Sequence, residues 1–459
     1  MLGSSLTVVT KLPTFARTGP AWQRGTRMTD RRPPTQLRRA VLSSYLGSVI
    51  EYYDFLLYAT ASAVVFNRVF FSELDPLVGT VASFGTLATG YLARPLGGVL
   101  FGHFGDRLGR KRMLVLTMAL MGVASVLIGL LPTYDQVGAL APILLIVLRV
   151  AQGVAVGGEW GGAVLMSAEH ATTRRGLWAS FTNAGAPSGM VLSTLVLALT
   201  AGAVSEEQFL AWGWRIPFLL SAVLLVVGLF VRAKVAETPV FAAARPGAER
   251  PPLVEVLRRH PRTLALSVGV GFSAFVAQGT LTTFLISYAV QAGFPRQTVL
   301  NALTLSSVAA IVGIIGFAAL SDRVGRRAVV LSGAVAMAFL SFLIFPMVDS
   351  GSVALLVLAV VLGQGVVHPA MYGPLAALYS ELFPTRSRYT GASLGYQIAG
   401  IGAGLAPVVF AAVLAEAATT GPVSAIIATC CLVSAACIVA LGETSRTDMT
   451  AAQEAVTRP

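Results

Sequence analysis

Charge is scarce in this sequence: Asp, Glu, Lys and Arg make up 12% of its 459 residues. A soluble protein carries roughly 25%. Hydrophobic residues make up 55%, and the mean hydropathy is +0.75. Because this small number of charged residues cannot cover a water-facing surface, the composition excludes an ordinary soluble domain and indicates a membrane protein.

Cysteine is also scarce, and catalytic motifs are absent from the sequence. Cys430, Cys431 and Cys437 all lie in the last apolar run, and their spacing gives neither a disulfide framework nor a set of metal ligands. The sequence contains no Ser/His/Asp constellation and no phosphate-binding loop with its lysine. It therefore predicts no enzyme activity, no cofactor and no metal site.

Long apolar runs separated by short polar turns fill most of the chain. A membrane-spanning helix needs about 20 apolar residues. Twelve such segments are predicted, at residues 41–66, 78–101, 113–131, 142–166, 177–203, 213–232, 263–290, 297–320, 328–347, 353–379, 389–414 and 421–441. We therefore predict an all-α membrane protein with 12 transmembrane helices in two six-helix halves.

A long polar, proline-containing stretch separates the two sets of six segments. The predicted domains are a disordered N-terminal tail (1–40), a first half (41–232), a linker (233–262), a second half (263–441) and a C-terminal tail (442–459).

Basic residues concentrate on one side of the predicted bundle. The even-numbered connections and the linker are rich in arginine, whereas the odd-numbered connections carry acids such as Glu206, Glu207 and Asp349. Excess positive charge marks the cytoplasmic side of a membrane protein. We therefore predict a multi-pass protein of the cell (inner) membrane with both termini and the linker in the cytoplasm. The net charge of +12 reflects this topology and does not indicate nucleic-acid binding.

A charged turn occurs twice. Residues 102–112, GHFGDRLGRKR, fit the pattern G-x-x-x-D-R-x-G-R-K-R, and residues 321–327, SDRVGRR, repeat its core with Ala318 at the leading glycine position. Gly102 would let another helix approach closely, and Gly109 would allow a positive φ in the turn. A second repeat matches Gln152-Gly153 to Gln364-Gly365 at nearly the same spacing. The two halves are therefore predicted to be related in parallel.

These turns are predicted to hold and release one end of the bundle. The predicted gating residues are Arg94, Gly102, Asp106, Arg107, Gly109, Arg110 and Lys111 in the first half, and Asp322, Arg323, Gly325, Arg326, Glu381 and Arg386 in the second.

Segment 1 carries two carboxylates inside an apolar run. Glu51 and Asp54 are three residues apart and share a helix face with Tyr58. An ionisable group at the centre of a membrane helix costs roughly 2.5–3.5 kcal/mol, so it needs a partner or a function. A carboxylate that takes and releases a proton would couple transport to a proton gradient. The structural alternatives are that Glu51 is solvated at the membrane surface and that Asp54 forms an ion pair.

Segment 4 carries Arg149, which needs Asp54 or an anionic cargo as its partner. In the same segment Gly153, Gly157 and Gly161 are spaced four residues apart, so another helix can pack against this backbone. In the second half, His368-Pro369 is predicted to break segment 10 beside a cavity or protein. The predicted proton-coupling residues are Asp54, Glu51 and Glu159. The predicted substrate-binding residues are Arg149, Gln152, Tyr58, Trp160, Asn183, Gln278, His368, Tyr372, Tyr396 and Gln397.

Five stretches together resemble one family: GSVIEYYDFLLY (47–58), LARPLGGVLFGHFGDRLGRKR (92–112), LRVAQGVAVGGEWGG (148–162), WGWRIPF (212–218) and ELFPTRSRYTG (381–391). They are similar to the metabolite:proton symporters of the major facilitator superfamily, and most of all to the shikimate permease branch. Tyr52 departs from the tryptophan frequent in that family. Only about 18 residues follow segment 12, without the coiled coil of osmosensing relatives.

The resemblance implies a major facilitator fold and a secondary active transporter working by alternating access. Its cargo would be shikimate, a di- or tricarboxylate, or an osmolyte such as proline or glycine betaine, imported together with protons. The implied partners are this small molecule, protons and the lipid bilayer, with no obligate protein partner. Two alternatives stay open: a proton-coupled exporter, and a transporter-like receptor. Segment 5 matches the exporter pattern only partly, and the short tails argue against a receptor.

Overall fold

The computed structural model describes residue 3 and residues 34–74, 76–171, 173–235, 237 and 252–445. Twelve long helices account for most of them. They are α1 (Pro34–Ala61), α2 (Pro76–Leu108), α3 (Arg110–Leu130), α4 (Leu140–His170), α5 (Arg175–Ala203), α6 (Arg215–Ala233), α7 (Pro261–Gln291), α8 (Arg296–Val324), α9 (Arg326–Asp349), α10 (Val353–Leu382), α11 (Arg388–Ala417) and α12 (Gly421–Leu441). The described residues contain no β-strand, and the predicted all-α, twelve-helix fold is confirmed.

Membrane-spanning character follows from length and composition. Ten of these helices, α3 to α12, are long and apolar enough to cross a membrane. The other two are α1, which carries four charged residues including Glu51 and Asp54, and α2, which ends in the charged turn.

Several helices extend beyond the predicted segments. The described part of the first helix already includes Pro34, seven residues before the predicted start at residue 41. Likewise α2 continues through Asp106 and ends only at Leu108. Charged residues do not stop a helix, but Gly109 does, because its φ of 106° lies in the region that favours glycine. Gly325 has a φ of 99° at the equivalent point between α8 and α9.

Helix packing repeats between the halves. In the first half, α1 packs on α5 and α6, α2 on α4, and α3 on α4 and α6. In the second, α7 packs on α11 and α12, α8 on α10, and α9 on α10 and α12. The second set equals the first shifted by six helices, as expected for two parallel repeats. The halves meet along two main seams, α2 against α11 and α5 against α8.

Irregular helix turns occur in the second half. A π-helical turn spans Thr280–Phe284 in α7, and another spans Val361–Val367 in α10. Proline clashes with the carbonyl four residues earlier. Pro369 thus accounts for the irregularity at Gly365. Segment 10 is distorted here but not broken, because the helix continues to Leu382.

The linker is partly described. A short helix, Pro252–Arg259, precedes α7, and its buried Val256 packs with Phe383 and Leu394. The predictions for residues 238–251, for residues 1–33 apart from Gly3, and for residues 446–459 lie outside the described residues.

Candidate functional site

The glycines of α4 bring three helices together. A Cβ at Gly157 would overlap the carbonyl of Arg94 on α2, and one at Gly153 would overlap that of Gly90. A Cβ at Gly161 would meet the hydroxyl of Ser393 on α11. The predicted close approach at this ladder is confirmed, and it places α2 and α11 directly against the backbone of α4.

Two buried arginines surround one phenyl ring. The Cζ atom of Arg149 lies 3.9 Å from the centre of the Phe55 ring, and that of Arg94 lies 4.2 Å from it. Arg149 also lies 4.2 Å from the Tyr58 ring. Both arginines are at most 3% exposed. Cation–π contacts thus stabilise these guanidiniums where a carboxylate was expected.

Of the two partners considered for Arg149, Asp54 does not form an ion pair with it in this conformation. Arg149 instead donates from Nη1 to Oε1 of Gln152 at 3.0 Å, while Asp54 accepts a short hydrogen bond from Ser221. Gln152 in turn donates to the Ser125 hydroxyl at 2.8 Å. Aromatic rings occupy the faces of the guanidinium, so Gln152 supplies the in-plane acceptor.

Glu159 has an ion-pair partner that the sequence did not reveal. It pairs with Arg232, which is 3% exposed near the end of α6. Arg232 is the last residue of predicted segment 6, next to the basic linker and sixteen uncharged residues after Arg215, so nothing in the sequence indicated that it faces Glu159. Glu51 is also buried, and the described residues give it no ion pair.

An aromatic layer joins the two halves at the level of Trp160. The Trp160 and Tyr396 rings are stacked with centroids 3.4 Å apart and planes 9° from parallel. The Tyr396 hydroxyl lies 2.5 Å from that of Tyr372 and 3.4 Å from that of Tyr52. Side chains of α1, α4, α10 and α11 therefore meet in a single cluster.

Asn183 of α5 links this layer to the polypeptide backbone. Its side chain accepts from Nε1 of Trp160 at 2.9 Å and donates to the Tyr372 carbonyl at 2.8 Å. Gln397 donates to the Gly157 carbonyl at 3.1 Å, which is another bond between the halves. Five of the predicted substrate-binding residues thus cross-link the halves in this conformation: Trp160, Asn183, Tyr372, Tyr396 and Gln397.

The remaining predicted substrate-binding residues lie at different distances from this layer. His368 stacks on Tyr372 with centroids 5.3 Å apart. Tyr58 donates to Thr86 at 2.6 Å within the first half. Gln278 is half-buried in α7, and the structure gives its side chain no hydrogen bond to the layer.

Asp106 joins the charged turn after α2 to the start of α11. Its carboxylate accepts from the backbone N–H of Tyr389 at 3.1 Å and from that of Thr390 at 2.9 Å. It also accepts from the Thr390 hydroxyl at 2.9 Å. A carboxylate at a helix N-terminus is favoured by the helix dipole and by the free N–H groups. Gly102 permits this contact, since a Cβ there would lie 2.8 Å from the Thr390 Cα.

Glu169 at the end of α4 supports the same seam. It pairs with Arg110 and with Arg388, each at 3.1 Å. Arg388 begins α11 and Arg110 begins α3. This carboxylate therefore spans the two halves.

The second charged turn repeats this arrangement. Asp322 accepts from the backbone N–H of Gly176 at 2.8 Å and from that of Leu177 at 2.9 Å at the start of α5. The loss of the leading glycine at Ala318 is offset across the seam, because a Cβ at Gly176 would lie 2.5 Å from the Ala318 carbonyl. The helices α5 and α8 therefore still approach each other closely, but the glycine that permits it lies on α5 and not on α8.

Arg326 completes this second turn. It pairs with Asp322 at 2.8 Å and with Glu381 at 3.3 Å. The equivalent contact in the first half, between Arg110 and Asp106, measures 3.9 Å.

Other predicted gating residues are placed differently. Arg107 and Arg323 are exposed. Lys111 donates to the Ala233 carbonyl at 2.9 Å, and Arg386 pairs with Glu255 of the linker helix at 2.7 Å. Arg94 lies twelve residues before Asp106, about 18 Å along the helix axis. Its geometry groups it with Arg149 rather than with the gate.

Two carboxylates missed in the sequence cap helices at the basic end. Glu443, just after α12, accepts from the backbone N–H of Arg326 at 2.9 Å and of Arg327 at 3.1 Å. Glu237, just after α6, accepts from the N–H of Lys111 at 3.2 Å. Partial burial alone would raise the pKa of Glu443, but the N–H groups of Ser445, Arg326 and Arg327 lower it overall. The shared Glu-Thr pair after each sixth helix was the available signal.

Known proteins with similar sequences support one assignment. The Major Facilitator Superfamily profile matches residues 45–407 and 302–453. The shikimate transporter of Escherichia coli (strain K12) is 41% identical over 390 residues, covering 83% of this chain and 88% of that protein. The proline/betaine transporter of the same strain is 34% identical over 387 residues, covering 81% and 77%.

A solved structure has the same fold. The proton:xylose symporter XylE, bound to 6-bromo-6-deoxy-D-glucose, matches with a TM-score of 0.74 over 92% of this chain and 99% of that chain. The sequence identity is 17%, so this similarity shows the fold alone. The paired six-helix repeats, the two charged turns and the profile match together show that the chain belongs to the major facilitator superfamily and is a multi-pass membrane transporter, not an enzyme.

Proposed function

We propose that this transporter imports a small anionic metabolite, such as shikimate or a di- or tricarboxylate, together with protons. The observation that carries the proposal is the pair Arg94 and Arg149, buried around Phe55 without a carboxylate partner among the described residues. In both guanidiniums, Nε and Nη2 have no hydrogen-bond partner there. A buried cation is costly unless it is paired, and a carboxylate is the acceptor that fits a guanidinium best.

Asp54 and Glu51 are the proposed proton carriers. Asp54 is fully buried next to this site, and its hydrogen-bond donor is the neutral hydroxyl of Ser221. Such a carboxylate can accept a proton without breaking an ion pair. Glu159 is paired with Arg232, so we propose that it takes part only when that pair opens.

Alternating access accounts for the remaining contacts. We propose that the basic end faces the cytoplasm, where excess positive charge is expected. In this conformation the turns at Asp106 and Asp322 close that end. Cargo would enter from the opposite side between the halves and displace the aromatic layer. Separation of the two turns would then release cargo and protons inward.

A zwitterionic osmolyte is the second candidate cargo. The aromatic layer favours it, because ring faces such as those of Trp160, Tyr372 and Tyr396 attract quaternary ammonium groups. The 34% identity to a proline/betaine transporter supports the same possibility. Betaine would not require two unpaired arginines, so the anion is the preferred cargo.

Uptake by the purified protein in liposomes tests the assignment. Labelled shikimate, α-ketoglutarate, proline and glycine betaine would be supplied with and without an inward proton gradient. We expect the gradient to accelerate uptake of an acid. Arg149→Gln should lower that uptake tenfold or more, because a hydrogen bond to a charged group contributes about 1.5–3 kcal/mol.

Arg258→Gln, which removes an exposed arginine of the linker helix, is the matched control and should retain wild-type uptake. Uptake of betaine but not of acids would favour the second candidate. Acid uptake that does not respond to the proton gradient would contradict proton coupling.

A further inference from the structure

The middle of the first half contains equal numbers of buried cations and carboxylates. They are Arg94, Arg149 and Arg232 on one side, and Glu51, Asp54 and Glu159 on the other, all at most 3% exposed. One ion pair, Arg232 with Glu159, forms among them in the part of the chain that the structure describes. Two guanidiniums and two carboxylates are left without an ion-pair partner, although their charges cancel.

The two unpaired guanidiniums are held in place without a carboxylate. Arg149 is fixed by Gln152 and by two aromatic rings, and Arg94 by the rings of Phe55 and Tyr91. These contacts keep both cations available to an incoming anion.

The two unpaired carboxylates have different surroundings. Asp54 faces the hydroxyls of Ser221 on α6 and Ser125 on α3. The charged groups that act on it are Arg149 and Glu159 of α4, and Tyr53 is its neighbour on α1.

Glu51 lies among charges of both signs. Arg94 of α2 and Arg232 of α6 attract it, and Glu159 of α4 repels it. From the second half, Tyr372 of α10 faces it. Each unpaired carboxylate therefore has one unpaired guanidinium as its main available counter-charge.

We propose that each negative charge on the cargo is matched by one proton, so that transport is electroneutral. The inference rests on the proposed import of an acid with protons. Without cargo, ionised Glu51 and Asp54 balance Arg94 and Arg149. A cargo carboxylate that binds a guanidinium replaces one protein carboxylate as its counter-charge. That protein carboxylate, now in an apolar interior without compensation, takes up one proton from the open side.

The cargo's charge then sets the number of protons. A monoanion needs one carboxylate to be protonated, and a dianion needs both. In each case the interior of the first half has the same net charge when loaded as when empty. A zwitterion leaves the balance unchanged and calls for no proton at these two groups.

Proton counting in liposomes tests this rule. The full chain would be reconstituted with an entrapped pH-sensitive dye, and proton entry would be compared with uptake of labelled shikimate or α-ketoglutarate. We expect one proton per shikimate and two per α-ketoglutarate. With the pH equal on both sides, a potential imposed with valinomycin and potassium should change neither uptake rate.

Removing one carboxylate should affect the dianion alone. In Glu51→Gln, the count for α-ketoglutarate should fall from two to one, and its uptake should become sensitive to the potential. The count for shikimate should stay at one, because Asp54 remains. Asp54→Asn should give the same pattern and serves if the first variant does not fold. Glu207→Gln, at an exposed carboxylate, should match the wild type.

Two results would overturn the matching rule while leaving proton-coupled import intact. One is an equal proton count for the monoanion and the dianion. The other is wild-type acid uptake that responds to the imposed potential at equal pH. If neither acid brings protons with it, the proposed function fails as well.

Discussion

Gln152 connects the two kinds of charge in the interior of the first half. It accepts from Arg149 and donates to Ser125, which faces Asp54. The amide therefore orients the proposed cargo-binding cation and, through a hydroxyl, the proposed proton carrier.

Gln152→Leu should weaken cargo binding with little loss of packing volume. The change removes the in-plane acceptor of Arg149, and a hydrogen bond to a charged group contributes about 1.5–3 kcal/mol. We expect the KM for acid uptake to rise about ten- to a hundredfold, with the pH dependence of uptake also displaced. Gln297→Leu, at an exposed glutamine of α8, is the control. An unchanged KM and pH profile would show that Gln152 does not position Arg149.

At the scale of single residues, the sequence shows which charged side chains lie inside the apolar segments, but it does not show which residues they contact. Glu51, Asp54 and Arg149 are conspicuous because ions are costly in a membrane helix. Ser125 and Ser221 are not, since a serine in an apolar helix usually bonds its own backbone. The pairing of Asp54 with Ser221 rather than Arg149 depends on how α1, α3, α4 and α6 pack. That packing is decided by many small contacts, which no motif reports.

At the scale of the helix, glycine positions decide which surfaces meet. Gly153 and Gly157 bring α4 onto the backbone of α2, and Gly161 brings it onto α11. This ladder is readable from the sequence because its spacing matches one helix face. The close contact between Ala318 on α8 and Gly176 on α5 cannot be read from the sequence, because the two residues lie on different helices.

Gly157→Ala should destabilise the protein. The added methyl group would overlap the Arg94 carbonyl, and such overpacking costs about 1–3 kcal/mol. We expect a lower melting temperature for the detergent-solubilised protein. Gly316→Ala on α8 is the matched control, because a Cβ there has open space. Alanine is favoured over glycine in a helix by roughly 0.5–1 kcal/mol, so the control should melt no lower than the wild type. Equal melting temperatures for the two variants would refute tight packing at Gly157.

For the molecule as a whole, two symmetric carboxylates join the halves at the basic end. Asp106 caps α11 and Asp322 caps α5, so each half contributes one acid and one helix N-terminus. The repeated turn in the sequence indicated that both turns have the same role, which we propose is that of a gate. The helices that the two carboxylates contact were not predictable, because nothing in the sequence of the turn specifies the start of α11 or α5.

The double variant Asp106→Asn with Asp322→Asn should shift the protein toward opening at the basic end. An asparagine keeps the shape but loses the charge that the helix N-terminus favours, which is worth about 0.3–1 kcal/mol at each end. The readout is maleimide labelling of Ser393→Cys, a position now buried between the halves, after replacement of the native cysteines. We expect labelling several times faster from the basic side.

Asp349→Asn, whose carboxylate accepts from Tyr288 at the opposite end, is the control for this labelling experiment. Labelling that is equally slow in the double variant and in the control would mean that the two turns do not limit opening.

The second half contributes ring faces and hydroxyls to the centre of the molecule, through Tyr372 and Tyr396, but no carboxylate or guanidinium. The two halves therefore share the same helix arrangement, but the charged groups at the centre of the molecule belong to the first half. Consider a hybrid that joins this first half to the second half of a relative. We expect it to keep the proposed number of protons per cargo charge, while its preference among cargo shapes changes. The duplication of one six-helix unit would thus let the preference for cargo shape vary in the second half while the proposed proton-coupling residues of the first half stay unchanged.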